Sequence, residues 1–312
     1  MIALPRSKLL SSVVFLDDGK YVVGGGFEGT LQRWATDDGR ETGQPIKASR
    51  DDKVLCLAAC RDGTRIVSAW ENGLVVVWNT TTHSKVHQFS PHPDYAVEVV
   101  DVSPDGTRIA TGAHDSTICV WSFSGKRLLG PLKHRFTPVA VKYSRDGRLL
   151  ATATRLRHSI RIYDSLSGHL FVDIPIEVDG HDQSLAWSPD SKHLYALSEG
   201  HIMCLDTSTG TTLSEWPIHT SNDPRGITLA RNGRFVVAAA GTTLSFWDTV
   251  TQKQIGSVIE HEGALFSMDI SPNYDLVTSV VESAIVRRLR EILPANYFNS
   301  VCTSKFKILA LR

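Results

Sequence analysis

Nothing in these 312 residues reaches the roughly 18 consecutive apolar residues that a membrane-spanning helix needs, so no membrane span is expected. The opening stretch MIALPRSKLL is broken by Pro5, Arg6 and Lys8 and holds no signal-peptide core. Charge of one sign is missing too: 33 Lys plus Arg stand against 33 Asp plus Glu. A general nucleic-acid binder works through a basic excess that displaces counterions, so nucleic acid is not an expected partner. Cysteines number only five, without paired metal-ligand spacing. Cys56 and Cys60 lie four apart with no second pair, which argues against a zinc site and for buried thiols in a reducing cytoplasmic or nuclear compartment. Catalytic motifs are absent as well. Gly24-Gly25-Gly26 runs into Phe27-Glu28 rather than a phosphate loop, His261-Glu262 is followed by Gly263-Ala264, and no G-x-S-x-G occurs. No cofactor and no metal are expected. With 42% apolar and 21% charged residues, bulk disorder is excluded.

What is present is a repeat. A short turn phrase recurs with anchors at Gly19, Gly63, Gly106, Gly147, Ser191, Gly233 and Tyr274, in steps of 41 to 44 residues. Asp or Asn stands before each anchor, a side chain that bonds its own backbone, and Gly accepts positive φ, so the chain reverses there. Each anchor is preceded by one alternating apolar run and followed by two more, as in RIATG and TICVW. Period-2 alternation with β-branched residues predicts strands. The third run ends 14 to 16 residues past the anchor at Trp34, Trp78, Trp121, Tyr163, Leu205, Trp247 and Arg288, and a weaker fourth run follows most copies. Four short strands per repeat cannot bury both faces of a sheet alone. Seven such sheets stacked around an axis bury one another. The expected fold is therefore all-β, a single seven-bladed β-propeller of four-stranded antiparallel blades spanning 1–312.

With its phrase SPDGTRIATGAHDSTICVW, the third copy resembles the WD40-repeat family, as does the Asp after the strand-end residue at Asp164, Asp206 and Asp248. The resemblance covers residues 7 to 289. It implies a buried hydrogen-bond network in the third copy made of His92, Thr111, Asp115 and Trp121. The other copies depart from it. The Asp slot holds Glu28, Asn72, Arg157, Glu199, Gly241 and Glu282, and a network His is matched elsewhere only by His134, His219 and His261. The resemblance also implies completion of one blade with strands from both chain ends. Pro5 follows only four residues, so the basic tail, 290–312, is expected to supply the last outer strand somewhere in 296–311.

Two rim patches are candidates for partner binding. Residues 131–161 carry eight basic side chains against one acid, Asp146. Of these, Arg135, Arg155 and Arg157, with His158 and an exposed Phe136, are expected on one rim, where Arg forks suit an acidic or phosphorylated segment of a partner protein. Phe27, Trp70 and Glu71 form the second patch, with Trp70 either an exposed anchor or a wedge between the first two blades. Asp179, His181, Asp182 and Glu199 gather acids and a His in one blade only, too few blades for a catalytic constellation. The function expected is a non-enzymatic scaffold or adaptor. The alternatives are a hydrolase or isomerase at the funnel mouth, and a ligand-sensing module of a larger signalling protein.

Overall fold

The computed structural model describes residues 2–3, 9–16, 19–47, 52–154, 159–176, 184–198, 200–218, 224–273, 275–280 and 284–298. They form seven four-stranded antiparallel sheets, six of them meanders in chain order. Blade three is representative: Val97–Val102, Arg108–Ala113, Thr117–Ser122 and Arg127–Lys133 follow one another as strands a to d. The innermost strands of the seven blades are Leu10–Leu16, Val54–Ala59, Val97–Val102, Pro138–Tyr143, Leu185–Trp187, Pro224–Leu229 and Ser267–Ile270. Each lies against the innermost strand of the next blade, and the last lies against the first, so the ring closes around an axial channel.

The core sits between blades rather than within them. Seven clusters of buried side chains straddle the seven junctions. Between blades three and four, Val99, Ile118 and Val120 meet Val141, Tyr143 and Leu150. Between seven and one, Val280 and Val286 meet Val13, Phe15 and Trp34. This is why alternation in strands a to c is weak: both faces of an inner strand are covered.

The anchors close the turns between strands a and b. Gly19, Gly63, Gly106, Gly147 and Gly233 have φ of 91°, 68°, 67°, 75° and 72°, and Ser191 adopts 60°. A Cβ at Gly233 would lie 2.9 Å from Pro189 of the neighbouring blade, so the bare α-carbon also lets adjacent turns nest. The preceding Asp or Asn accepts from the backbone two residues on, as Asp105 does from Thr107 N at 3.0 Å and Asn232 from Arg234 N at 3.0 Å. Tyr274 lies outside the described residues.

Ring closure differs from the expectation. Ile2–Ala3 supplies the outer strand of blade seven, pairing Ile2 with Val286 and Ala3 with Ile285. Two residues are enough because the slot needs only a short edge. Instead of a strand, the beginning of the tail forms 3₁₀ turns at Leu289–Glu291 and Ala295–Tyr297. These pack on blade six, where Asn232 Nδ2 donates to Tyr297 O at 3.0 Å and the Tyr297 hydroxyl donates to Asp248 at 2.7 Å. Leu289, Leu293 and Phe298 are buried in the cluster between blades six and seven. Residues 299–312, most of the expected strand, lie outside the described ones. The strand-end slot of blade seven is also shifted by one: Val277 pairs with Arg287, as Ile109 pairs with Trp121, so Arg287 and not Arg288 occupies it.

Removing residues 1–4 leaves Ala284–Arg288 as an unpaired edge. The expected outcome is a thermal midpoint lowered by a few degrees, since about 1 kcal/mol shifts a 150–250-residue domain by roughly 2–4 °C. An unchanged midpoint in differential scanning calorimetry would contradict closure by Ile2–Ala3.

Candidate partner-binding face

Among the described residues the loop before strand a and the b–c turn lie at one end of the strands, and the a–b turn, with the c–d turn of blades one to six, lies at the other. The first end is called the upper face here. Blade three shows how its segments are held. His92, in the loop before strand a, is buried and bonds Asp115 Oδ2 of the b–c turn through Nδ1 at 2.8 Å. Its Nε2 meets Thr111 Oγ1 at 2.8 Å, and Trp121 Nε1 donates to the same hydroxyl at 2.9 Å. With Nδ1 protonated, each donor in the chain has an acceptor. Asp115 also accepts from the Thr117 amide at 2.9 Å. The four residues expected to act together are thus in one contiguous network, which ties the upper loop to strands b and c.

Other blades fill the same space differently. In blade two no His stands in the loop before strand a. Trp70 turns inward, is fully buried, and donates to Ser68 Oγ at 2.9 Å, while Trp78 donates to the same oxygen at 2.8 Å. Trp70 is therefore a wedge between blades one and two, packed with Val14, Leu31 and Val54, and not an exposed anchor. The sequence signal was present: Trp70 stands two residues after Ser68 in a copy with no His before its first strand. In blade six the slot of Thr111 is Ala238, and Ser245, one strand over, accepts from Trp247 at 2.8 Å. Blade four pairs His134 Nε2 with the Tyr163 hydroxyl at 3.5 Å, while Nδ1 has no partner among the described residues. Burial, reinforced by Arg161, holds His134 down to about 4. In blade seven, His261 Nε2 meets Ser279 Oγ at 3.3 Å, and burial with Arg287 nearby lowers it likewise to about 4. His219 lies outside the described residues.

The rest of the upper face is its exposed surface. Arg135 is exposed and lies 5.5 Å from the ring of Phe136, which is half-buried rather than exposed. Both line a depression of about 340 Å³ with His134, Arg161 and Asp173. Arg161 is engaged there, its Nε 3.0 Å from Asp173 and its Nη1 donating to Lys133 O at 3.2 Å. Arg155, Arg157 and His158 lie outside the described residues. The basic run does not form one patch: Lys142 and Arg145 point into the axial channel, and Arg148 stands at the opposite end of the blade. Phe27 and Glu71 are on the upper face as expected, joined by Lys53, whose Nζ is 5.8 Å from the Phe27 ring and 3.0 Å from Glu71. Three further exposed apolar residues, Leu9, Tyr95 and Phe266, stand on the same face immediately before strand a of blades one, three and seven. Sequence reading missed them. Their signal was a large apolar residue just outside the strand alternation.

The carboxylates described inside the channel are structural ties. Asp101 accepts from Tyr143 N of blade four at 2.8 Å, and Asp269 of blade seven accepts from Phe15 N of blade one at 2.9 Å. Burial raises both. Asp179, His181, Asp182 and Glu199 lie outside the described residues.

Comparison with known proteins agrees with this architecture. The family model described as "WD domain, G-beta repeat" matches residues 83–122, which includes strand c of blade three. Eukaryotic translation initiation factor 3 subunit I of Neurospora crassa is 27% identical over 58% of this chain and 56% of its own length. Protein groucho of Drosophila melanogaster is 33% identical over 40% of this chain and 17% of its own. The transcriptional corepressor LEUNIG_HOMOLOG of Arabidopsis thaliana is 25% identical over 88% of this chain and 30% of its own. The chain thus spans little more than half the length of the first of these relatives and less than a third of the other two.

Asp115→Ala removes the acceptor of His92 and of the Thr117 amide. It is expected to cost about 1–3 kcal/mol, against about 0.5 kcal/mol or less for Glu28→Ala on the exposed turn of blade one. Equal losses in denaturant titrations would show that blade three has no special network.

His134 also sets a pH dependence. Its folded pKa of about 4 lies below the ordinary 6.5, so the unfolded chain binds more protons between those values. Stability is expected to fall as the pH drops through that window, by roughly 3 kcal/mol for this residue when fully protonated. His134→Gln removes that share. Urea unfolding at pH 7 and pH 4.5 should show a smaller loss in the variant, and identical losses would refute the assignment.

Proposed function

We propose that this chain, which belongs to the WD40-repeat β-propeller family, is a non-enzymatic scaffold or adaptor that presents its upper face to other proteins. One observation carries the reading: four large apolar side chains, Leu9, Phe27, Tyr95 and Phe266, are 51%, 42%, 48% and 42% exposed and all stand on that face. Single exposed apolar residues are ordinary, but several on one end of a rigid disc mark a docking surface. The loops that carry Tyr95 and Phe266 are tied by His92 and His261, and Phe27 N donates to Leu9 O at 3.0 Å, so little order has to be gained on binding. Lys53, Glu71 and Arg135 give the surface a polar fringe.

Arg135, with Arg155 and Arg157 of the same blade, favours an acidic or phosphorylated segment of the partner, because a guanidinium fork matches carboxylate or phosphate with two bonds. The relatives' names place them in translation initiation and transcriptional corepression, which supports a cytoplasmic or nuclear setting for this chain.

The test is comparative affinity capture. A chain carrying Phe27→Asp, Tyr95→Asp and Phe266→Asp should lose partners that the parent captures. A control carrying Leu166→Asp and Val250→Asp, on c–d turns at the other end of the blades, should keep them. Reversal of Arg135, Arg155 and Arg157 to Glu should remove the salt-sensitive subset, since exposed charges are screened beyond about 8 Å at physiological ionic strength. Circular dichroism confirms folding of each variant. A partner set unchanged by the triple Asp variant overturns the reading.

A further inference from the structure

The opposite end of the axial channel has a charge arrangement that partner docking on the upper face does not use. The second residue before the anchor is Arg61 in blade two, Arg145 in blade four and Arg231 in blade six. In blades three, five and seven the same turn position is Pro104, Pro189 and Pro272. Arginine on every second blade projects three cations toward one axis from three directions. All three line a single cavity of about 560 Å³ at the mouth formed by the a–b turns. Arg61 reaches across to blade four, its Nη1 donating to Arg145 O at 3.1 Å.

Like charges gathered in this way oppose one another. Burial, then Arg61 and Arg231, pull the Arg145 guanidinium down to about 10, and burial with Arg231 lowers Arg61. Asp101 and Asp269 oppose this shift only in part, and the oxygens of the described acids are bonded elsewhere. Asp101 Oδ1 is 3.8 Å from Lys142 Nζ and its Oδ2 accepts from Tyr143 N, while Asp269 accepts from Phe15 N and Ile270 N. Asp62 Oδ1 accepts from Thr64 N at 2.9 Å. Among the described residues none of the three guanidinium groups forms an ion pair within 4.0 Å. Lys20 adds a further cation to the lining, and the corresponding turn of blade one, Asp17-Asp18, lies outside the described residues.

We propose that Arg61, Arg145 and Arg231 form a tripod that binds a compact small-molecule polyphosphate at the a–b mouth of the channel. Phosphate suits the guanidinium forks, which bind its oxygens in pairs. Several phosphates on one small body match three donors that point inward from non-adjacent blades. The cavity volume falls in the range of small-molecule sites, roughly 300–1,000 Å³. An extended phosphopeptide would meet the tripod at one residue and leave the other two arginines facing each other. Binding here would bridge blades two, four and six and stiffen the ring without covering the upper face.

Trp187 lines the same cavity, its Nε1 donating to Lys142 O at 3.0 Å, so its fluorescence reports on the site. The experiment titrates the full chain with inorganic tripolyphosphate and follows tryptophan emission together with calorimetry. Saturable binding of one tripolyphosphate per chain is expected, weaker by roughly tenfold or more in Arg145→Gln and in Arg231→Gln. Arg145→Lys, which keeps the charge but loses the fork, should fall between. Arg127→Gln, on the outer strand of blade three, should bind like the parent. Absence of saturable binding, equal affinity in the Arg145→Gln/Arg231→Gln double variant, or an equal loss in Arg127→Gln overturns the tripod. Tighter binding of a singly phosphorylated serine peptide than of tripolyphosphate overturns the small-molecule assignment. Melting curves show that each variant is folded before it is titrated.

Discussion

No blade of this propeller has a core of its own. Each four-stranded sheet exposes two apolar faces, and every buried cluster is made by two neighbours. The structure therefore depends on the ring being closed, because an open ring would return two sheet faces to water. Burial of apolar surface stabilises by about 25 cal/mol per Å², so one exposed junction would outweigh any single hydrogen bond in the molecule. Closure rests on a short pairing, Ile2–Ala3 with Ala284–Arg288, and on the contact between the innermost strands of blades seven and one. The bond from Phe15 N to Asp269 crosses that junction, just as the bond from Tyr143 N to Asp101 crosses the junction between blades three and four.

Within this frame the polar networks act as local fasteners, and they are interchangeable in chemistry. The requirement is that a buried indole N–H at the end of strand c find an acceptor. Thr111 does this in blade three, Ser68 in blade two, and Ser245 from the neighbouring strand in blade six. Where a His joins, the loop before strand a is tied down. Where Trp70 replaces it, packing between blades one and two does the same work. In blade one the slot is Gly24, and Trp34 Nε1 has no partner among the described residues. Blades two, three and six thus meet one constraint in different ways, blade one forms without meeting it, and loss of the repeat signature in a copy is not loss of its blade.

The two ends of the strands have separate tasks because their turns differ in composition. The a–b turns are short, with φ-positive anchors, and crowd around the channel mouth, which concentrates charge at the axis. The loops before strand a are longer and carry apolar side chains outward. A partner on the upper face and a small anion at the other mouth would touch no common residue. Both would act on the same closed ring.

Repeat, strand order and blade number were legible in the sequence because turn chemistry is local. An Asp or Asn before a φ-positive residue, followed by alternating apolar runs, needs no distant partner to be recognised. The network of blade three was legible for the same reason, since His92, Thr111, Asp115 and Trp121 fall within thirty residues of one another. What the tertiary structure alone decided depends on meetings across the ring. Ile2 reaches Val286 only because the ring returns the chain to its beginning, whereas the start of the tail, up to Phe298, packs onto blade six. Whether Trp70 faces solvent or Val54 depends on how blade one sits against blade two. Arg61, Arg145 and Arg231 are some eighty residues apart in sequence and share a cavity because alternate blades point at one axis. A one-dimensional pattern records the period of the repeat, and the direction in which each copy faces the others exists only once the ring is closed.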